Sequence, residues 1–265
     1  MLLKFISSVY NMRRIGHILI FLAVSCILCA FRIPGLDPVT KFNLYQEYPL
    51  FKGSKATIQI EYKIDWPDKY YSPDVLTRMQ NNILRLVFGR NASAYGLVPS
   101  FENQCKYYQA LYKEAYREDL QLHGKDGWFD TWEEKMKGEM KTPYNGLVSY
   151  VFWGYEFSGG AHCSNFMTAI TMDEKTGHIV RECDLFVRDY KQTLTRALRE
   201  NLAKSDIISS INDPMIHPSD QFYITPKGIT YVYEQHTIGA GYLGVVEVLI
   251  PWEDLYSIVI PHHYR

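Results

Sequence analysis

The sequence predicts an α+β fold, with a largely antiparallel sheet built from hairpins and about three helices packed on it. Three observations lead to this prediction. Residues 57–64 alternate strictly between apolar and polar side chains, as a half-buried strand does. Three stretches carry apolar residues at helical spacing, and two glycine-containing turns separate short apolar segments, which is typical of β-hairpins.

The first half of the chain predicts one strand and then two helices. The strand places four apolar residues on one face: Ile58, Ile60, Tyr62 and Ile64. Ser72 is a suitable cap for a helix that begins at Pro73 and ends at Gly89. Its apolar positions are Val75, Met79, Ile83 and Leu86.

A second helix is predicted from Pro99 to about Leu122, and Gly124 stops it. Its apolar stripe contains Phe101, Cys105, Tyr108, Tyr112 and Ala115, so we expect Cys105 to face the core. Residues 125–145 are charged and carry Trp128, Phe129 and Trp132, which favours a short helix or loop that packs its aromatic rings onto the body.

The third quarter of the chain predicts a central strand, a hairpin and a helix. Residues 147–157 are apolar on both faces, as in the middle of a sheet. Residues 162–172 and 178–183 flank a turn in which Gly177 takes the left-handed position. A helix follows from about Phe186 to Lys204, with Phe186, Tyr190, Leu194, Ala197 and Leu202 on one side.

The last part of the chain predicts a return to sheet. After a loop at 205–218, residues 222–225 and 229–235 form a hairpin through Pro226-Lys227-Gly228. Residues 244–250 form a final strand, and a turn begins at Pro251. No repeat or Pro/Gly linker divides the chain, so we expect a single domain over residues 45–260, with halves at 45–145 and 146–260.

Residues 1–30 have the pattern of an export signal. Lys4, Arg13 and Arg14 precede an uncharged apolar run at 18–30. A transmembrane anchor is the alternative, although the run is shorter than the about 20 residues that a bilayer crossing needs. Cys26 follows a loose lipobox and is the predicted lipidation site, whereas Leu28-Cys29-Ala30 resembles an ordinary cleavage site, so lipid anchoring and release both remain open.

Composition narrows the classes of partner and chemistry. The formal net charge of −1 over 265 residues gives no electrostatic basis for binding nucleic acid. The exported part retains Cys105, Cys163 and Cys183, an odd number that permits one disulfide of undetermined pairing. The spacing of His162, Cys163, His178 and Cys183 does not match a structural zinc site, and no cofactor or metal is expected.

Three segments together resemble a known bacterial family: residues 155–162, residues 173–186 from Asp173 to Asp184-Leu185-Phe186, and residues 222–255. They are similar to the extracytoplasmic domain of unknown function at the C-terminus of the lysozyme-sensing anti-sigma factor RsiV and at the front of the peptidoglycan deacetylase PdaC. The resemblance extends over about residues 45–260. It implies an envelope-facing binding or sensing module, because in those relatives the catalysis or signalling belongs to other domains.

A binding function is therefore the main prediction, and two other classes of function remain as alternatives. One is an envelope-polymer hydrolase that uses His162 or Cys163 with an acid such as Asp184. Adjacent strand residues point to opposite faces, which argues against a His162–Cys163 pair, and no short catalytic motif is present, so no catalytic residue is assigned. The other is a structural lipoprotein.

The predicted ligand-binding residues lie in two glycine-containing segments and are rich in tyrosine. They are Tyr155, Gly159, Gly160 and His162 around one bend, and Gly239, Gly241 and Tyr242 in one loop. The expected partner is a glycan fragment or an envelope-attacking protein such as lysozyme, outside the cytoplasm.

Overall fold

The computed structural model describes residues 39–50, 56–123, 131–158, 163–211 and 216–260. They form a mixed α+β fold with eight strands in two sheets. The predicted fold class is therefore confirmed. Helices cover one face of the larger sheet, and the smaller sheet with its own helix covers part of the other face.

The larger sheet has five strands in the order β1-β2-β3-β4-β5. Their bounds are Val39–Pro49, Thr57–Pro67, Thr131–Met140, Leu147–Phe157 and Ser164–Asp173. All neighbours are antiparallel except β2 and β3, which are parallel. A parallel pair needs a long connection, and both long helices lie within it. The expected dominance of hairpins thus has one exception.

Helices α1 (Pro73–Phe88) and α2 (Leu97–His123) cover one face of this sheet. The predicted boundaries of α1 are confirmed, because Pro73 starts the helix and Gly89 closes it with a φ of +51°. Ser72 occupies the N-cap position without a side-chain hydrogen bond. Cys105 is buried on α2, as the apolar stripe predicted, and the four apolar positions of β2 face the helices and are almost fully buried.

The smaller sheet has the order β6-β7-β8, with strands Phe222–Thr225, Gly228–Tyr233 and Val246–Pro251. One of its faces packs on helix α4 (Lys191–Leu202) through Leu194, Ala197, Leu198 and Leu202. The hairpin through residues 226–228, the last strand and the turn after Pro251 are confirmed.

The two sheets meet at β4 and β6 through a buried hydrogen-bond group. The Ser149 hydroxyl accepts the Ile224 backbone N–H at 2.7 Å and lies 2.8 Å from the Thr171 hydroxyl. Val151, Met167, Ala169 and Val232 form a small apolar cluster beside it. The smaller sheet is therefore fixed to β4, an interior strand of the larger sheet.

The short helix or loop predicted for residues 125–145 is wrong for residues 131–140, although Trp132 packs onto the body as predicted. Residues 131–140 form β3, which is an interior strand of the larger sheet, and Trp132 is buried beneath Tyr112. The buried positions of this strand include Glu134 and Gly138 instead of aliphatic residues. The apolar alternation of a strand is therefore weak, and the charged residues indicated a loop. Trp128 and Phe129 lie outside the described residues.

Two further boundaries in the second half differ from the prediction. The turn at 173–177 is present, and Gly177 has a φ of +69°, but the arm after it pairs only through Met172 and Ile179 before the short helix α3 (Glu182–Leu185). Helix α4 starts at Lys191, not Phe186, because Phe186 pairs with Val259 and the Val187 N–H donates to the Ile258 carbonyl. These backbone pairs exclude a helical start at residue 186.

Two features bear on the predicted domain and its relation to a membrane. The first strand begins at Val39, upstream of the predicted domain start at residue 45. None of the helices in the described parts of the chain combines the length and apolar character that a bilayer crossing requires.

Candidate functional site

The predicted bend lies mostly outside the described residues. Gly159, Gly160 and His162 are not described, and neither is Cys26. The residues that flank the bend, Ser158 and Cys163, are both exposed. Of this group the structure places only Tyr155, which is half-buried on β4 and points to the face that the helices leave free.

The predicted loop is present, and it is closely packed. Gly239 pairs with Ile211, and a side chain at Gly239 would meet the Leu243 side chain and the Ser210 carbonyl. Gly241 lies against the His236 ring, where a Cβ atom would come within 2.0 Å of Cε1. Tyr242 is 78% exposed, and its hydroxyl donates to the Ser210 hydroxyl. These glycines permit close packing within the protein, and Tyr242 is the part of the loop that faces solvent.

The structure places Tyr155 apart from the predicted loop. Tyr155 belongs to the larger sheet and the Gly239–Tyr242 loop belongs to the smaller one. Among the described residues, no hydrogen bond or ring contact joins Tyr155 to that loop. Whether these residues bind a ligand stays a prediction.

Tyr155 is part of a lysine–aromatic face, which we define as Lys135, Lys137, Lys141, Trp153, Tyr155 and Tyr223. The Lys135 ammonium lies 5.6 Å from the centre of the Tyr155 ring, and the Lys141 ammonium lies 4.7 Å from Trp153 and 5.5 Å from Tyr223. Such cation–π contacts cover ring faces that a stacking ligand would need. Lysine side chains of the protein itself therefore already occupy the rings of this face.

The three described cysteines are free thiols. Cys105 is buried in the helix-covered core, and burial raises the pKa of its thiol to about 12. Cys163 and Cys183 are exposed. Asp184, the acid of the hydrolase alternative, pairs with Arg181, which holds the pKa of its carboxyl below the usual value.

A concave feature of about 890 Å3 lies at the edge of the larger sheet, and we call it the edge cleft. It lies between the outer edge of β5, the segment 179–183, the start of α4 and the segment 217–222. Its lining includes buried residues, namely Ala169, Thr171, Val180 and Phe222, and exposed residues, namely Ile179, Arg181, Cys183, Lys191, His217 and Asp220. The cleft is thus partly apolar with a charged, accessible rim.

The cleft wall is held in place by hydrogen bonds. The Gln221 side-chain oxygen accepts the Ala169 N–H at 3.1 Å and the Thr168 hydroxyl at 2.8 Å, which fixes segment 217–222 to the edge of β5. The Tyr231 hydroxyl donates to Glu182 at 2.9 Å. Within the described chain, the side chains of Lys191, His217 and Asp220 have no hydrogen-bond or ion-pair partner, so they are available to a ligand.

A second unusual feature is an acidic pair, Glu134 on β3 and Glu156 on β4, which are cross-strand neighbours. Glu134 is completely buried, and neither of its carboxyl oxygens has a hydrogen-bond partner. The Tyr108 hydroxyl of α2 donates to Glu156 at 3.4 Å. Burial, and then the nearby Glu156, raise the pKa of Glu134 to about 9, and burial also raises the pKa of Glu156.

Sequence reasoning missed both features. Glu156 lies within the quoted segment 155–162, but its partner Glu134 lies in a stretch that was not read as a strand. The cleft combines segments that are far apart along the chain. Across the described ranges, no group of three His, Cys, Asp or Glu residues is arranged to hold a metal ion.

The geometry defines a two-sheet α+β protein with an open cleft beside an edge strand, and comparisons place this architecture among known proteins. Residues 183–253 match the family model described as protein of unknown function DUF3298. The matched segment contains one wall of the edge cleft and the whole smaller sheet. No curated protein gives a significant match.

Two crystal structures of DUF3298 family members share the fold. One, from Bacteroides fragilis, has a TM-score of 0.72 and 19% sequence identity, and the match covers 84% of this chain and 93% of that one. The other, from Pseudomonas aeruginosa, has a TM-score of 0.55 and 17% identity, and the match covers 86% and 97% of the two chains. The likeness therefore extends well beyond residues 183–253.

Proposed function

We propose that this protein is an extracytoplasmic binding module of the bacterial cell envelope, and that it binds a glycan fragment in the edge cleft. The observation that carries the proposal is the cleft itself, which has partly apolar walls and a rim that includes the unpaired side chains of Lys191, His217 and Asp220. The signal-like pattern of residues 1–30 and the resemblance to envelope-facing domains support the location.

The size of the cleft favours a glycan fragment over a protein ligand. Small-molecule sites are concave and have volumes of roughly 300–1,000 Å3, whereas a stable protein partner needs about 800 Å2 of contact on each side. A cleft of about 890 Å3 is in the first range. The exposed hydrogen-bonding groups, together with the half-buried Tyr190 ring, suit sugar hydroxyls and ring faces.

Thermal unfolding of the whole chain tests the proposal. A ligand that binds only the native state raises the melting temperature, and at 100 times its Kd the gain is about 2.7 kcal/mol, or roughly 5–10 °C for a chain of this size. We expect soluble peptidoglycan fragments to produce this shift. Lysozyme at saturating concentration should produce a smaller shift or none.

A matched pair of variants locates the site. Lys191→Ala with Asp220→Ala removes one charge of each sign from the cleft rim and should abolish the shift. Lys227→Ala with Glu253→Ala removes the same charges from exposed positions outside the cleft and should retain it. An equal shift in both double variants would place the ligand elsewhere, and a shift with lysozyme alone would favour a protein ligand.

Two alternatives give different results in the same samples. A hydrolase would release shorter fragments, and this turnover would fall in His162→Ala or Cys163→Ala. A structural lipoprotein would show neither shift nor turnover, and Cys26 would be labelled by palmitate in cells.

A further inference from the structure

The acidic pair lies apart from the cleft lining. We propose that Glu134 and Glu156 act as a protonation switch: a proton held by the pair keeps helix α2 on the sheet, and loss of that proton releases the helix.

The described surroundings of Glu134 contain no cation that would balance a negative charge. The described groups that face the pair are the Tyr62 hydroxyl from β2 and the Tyr108 hydroxyl from α2, and the two carboxyls face each other across β3 and β4. Within the described chain, no lysine, arginine or histidine forms an ion pair with either carboxyl. An ionised Glu134 would therefore be buried next to another acid without a compensating cation.

Helix α2 is the element that would move. Tyr108 packs in the core above the pair and donates a hydrogen bond to Glu156, while Cys105 lies one turn earlier on the same helix. Water can reach Glu134 only if a covering element shifts, because the carboxyl is completely buried. Hydration of the ionised pair thus requires separation of this part of α2 from β3 and β4.

The direction of the pH effect follows from the raised pKa of Glu134. The ordinary value of 4.5 applies in the unfolded chain, and the folded value is about 9. The stabilising contribution of the protonated form is fully present below about 4.5, decreases as the unfolded chain ionises, and is lost as the pH rises through about 9. Acid therefore closes the switch and base opens it.

Cys105 provides a direct reporter of the open state. It is 1% exposed in the folded protein, so its alkylation measures separation of α2. We would pulse the whole chain with iodoacetamide at pH 6.5 and 9.5, identify the Cys105 peptide by mass spectrometry, and divide by the rate in denatured protein. The normalised rate should rise at least about tenfold across this range.

The isosteric Glu134→Gln removes the titrating group and should flatten this pH dependence. Glu139→Gln, on the opposite face of the same strand, should leave it unchanged. Glu156→Gln provides a second test if Glu134→Gln does not fold, and it should reduce the rise because it removes the neighbouring charge. An undiminished rise in both Glu134→Gln and Glu156→Gln, or no rise in the unaltered protein, would overturn the proposal.

Discussion

At the residue scale, very close packing occurs where Gly154 faces an aromatic ring. Gly154 on β4 pairs with Phe166 on β5, and a Cβ atom at position 154 would come within 2.1 Å of the Phe166 ring and 2.8 Å of the Met136 sulfur. The ring fills the space that a side chain on residue 154 would occupy. Position 154 is therefore closed to any side chain unless the ring moves.

Gly154→Ala should consequently destabilise the protein by about 1–3 kcal/mol through overpacking. The smaller Phe166→Leu should relieve part of that cost, so the double variant should be more stable than the sum of the single changes predicts. Urea unfolding measures the free energy of unfolding of the two single variants, the double variant and the unaltered protein. Strict additivity would show that the ring and the glycine do not compete for the same space.

The same scale shows why the acidic pair was not predicted. The buried face of β3 carries Trp132, Glu134, Met136 and Gly138, so two of its four positions give no hydrophobic signal. A protonated carboxyl behaves as a neutral buried group, but sequence analysis treats every glutamate as a charged residue. Only the fold brings Glu156 close enough to change its pKa.

At the element scale, the boundaries of α1 follow from local chemistry. Pro73 starts the helix because its missing N–H needs no partner there, and Gly89 ends it with a φ of +51° and a ψ of −119°, which favour glycine. The space around a Cβ at Gly89 is open. The effect of a substitution at this position should therefore come from backbone strain alone.

Gly89→Ala should destabilise the protein by about 1 kcal/mol, because a side chain disfavours this backbone conformation. Gly89→Asn should cost about as much, because a ψ of −119° lies outside the left-handed helical region that asparagine tolerates. The comparison is made by chemical denaturation. Equal stability of Gly89→Ala and the unaltered protein would mean that the helix end adopts another conformation without cost.

Elements with long-range backbone partners were predicted less well. The alternation of residues 57–64 was sufficient for β2, whereas β1 was missed although Phe42, Leu44 and Tyr48 alternate along it. The start of α4 was placed too early because Phe186 has helical spacing with Tyr190 and Leu194. Its backbone instead pairs with Val259, which no local pattern reveals.

At the scale of the whole molecule, Ser149 joins the two sheets. Its buried hydroxyl accepts the Ile224 N–H, so removal of the hydroxyl would leave that donor without a partner. Ser149→Ala should destabilise the protein by about 1–3 kcal/mol. Thr171→Val should cost less, because Ser149 can still accept the N–H, and equal losses in the two variants would contradict this account.

The edge cleft also belongs to this scale, because it forms only where the edge of β5, the segment 179–183, α4 and segment 217–222 meet. Two of the predicted binding residues, Gly239 and Gly241, have close intramolecular packing as their physical role. The sequence could identify glycines and tyrosines, but it could not show which of them face solvent. The position of a cleft depends on all of the surrounding elements.

The most direct test of the account is hydrogen–deuterium exchange of the whole chain with and without soluble peptidoglycan fragments. We predict slower exchange in the cleft segments 169–171, 179–183, 190–195 and 217–222, with little change along the lysine–aromatic face. Protection confined to β3, β4 and the lysine–aromatic face, or no protection at saturating fragment concentration, would contradict glycan binding in the edge cleft.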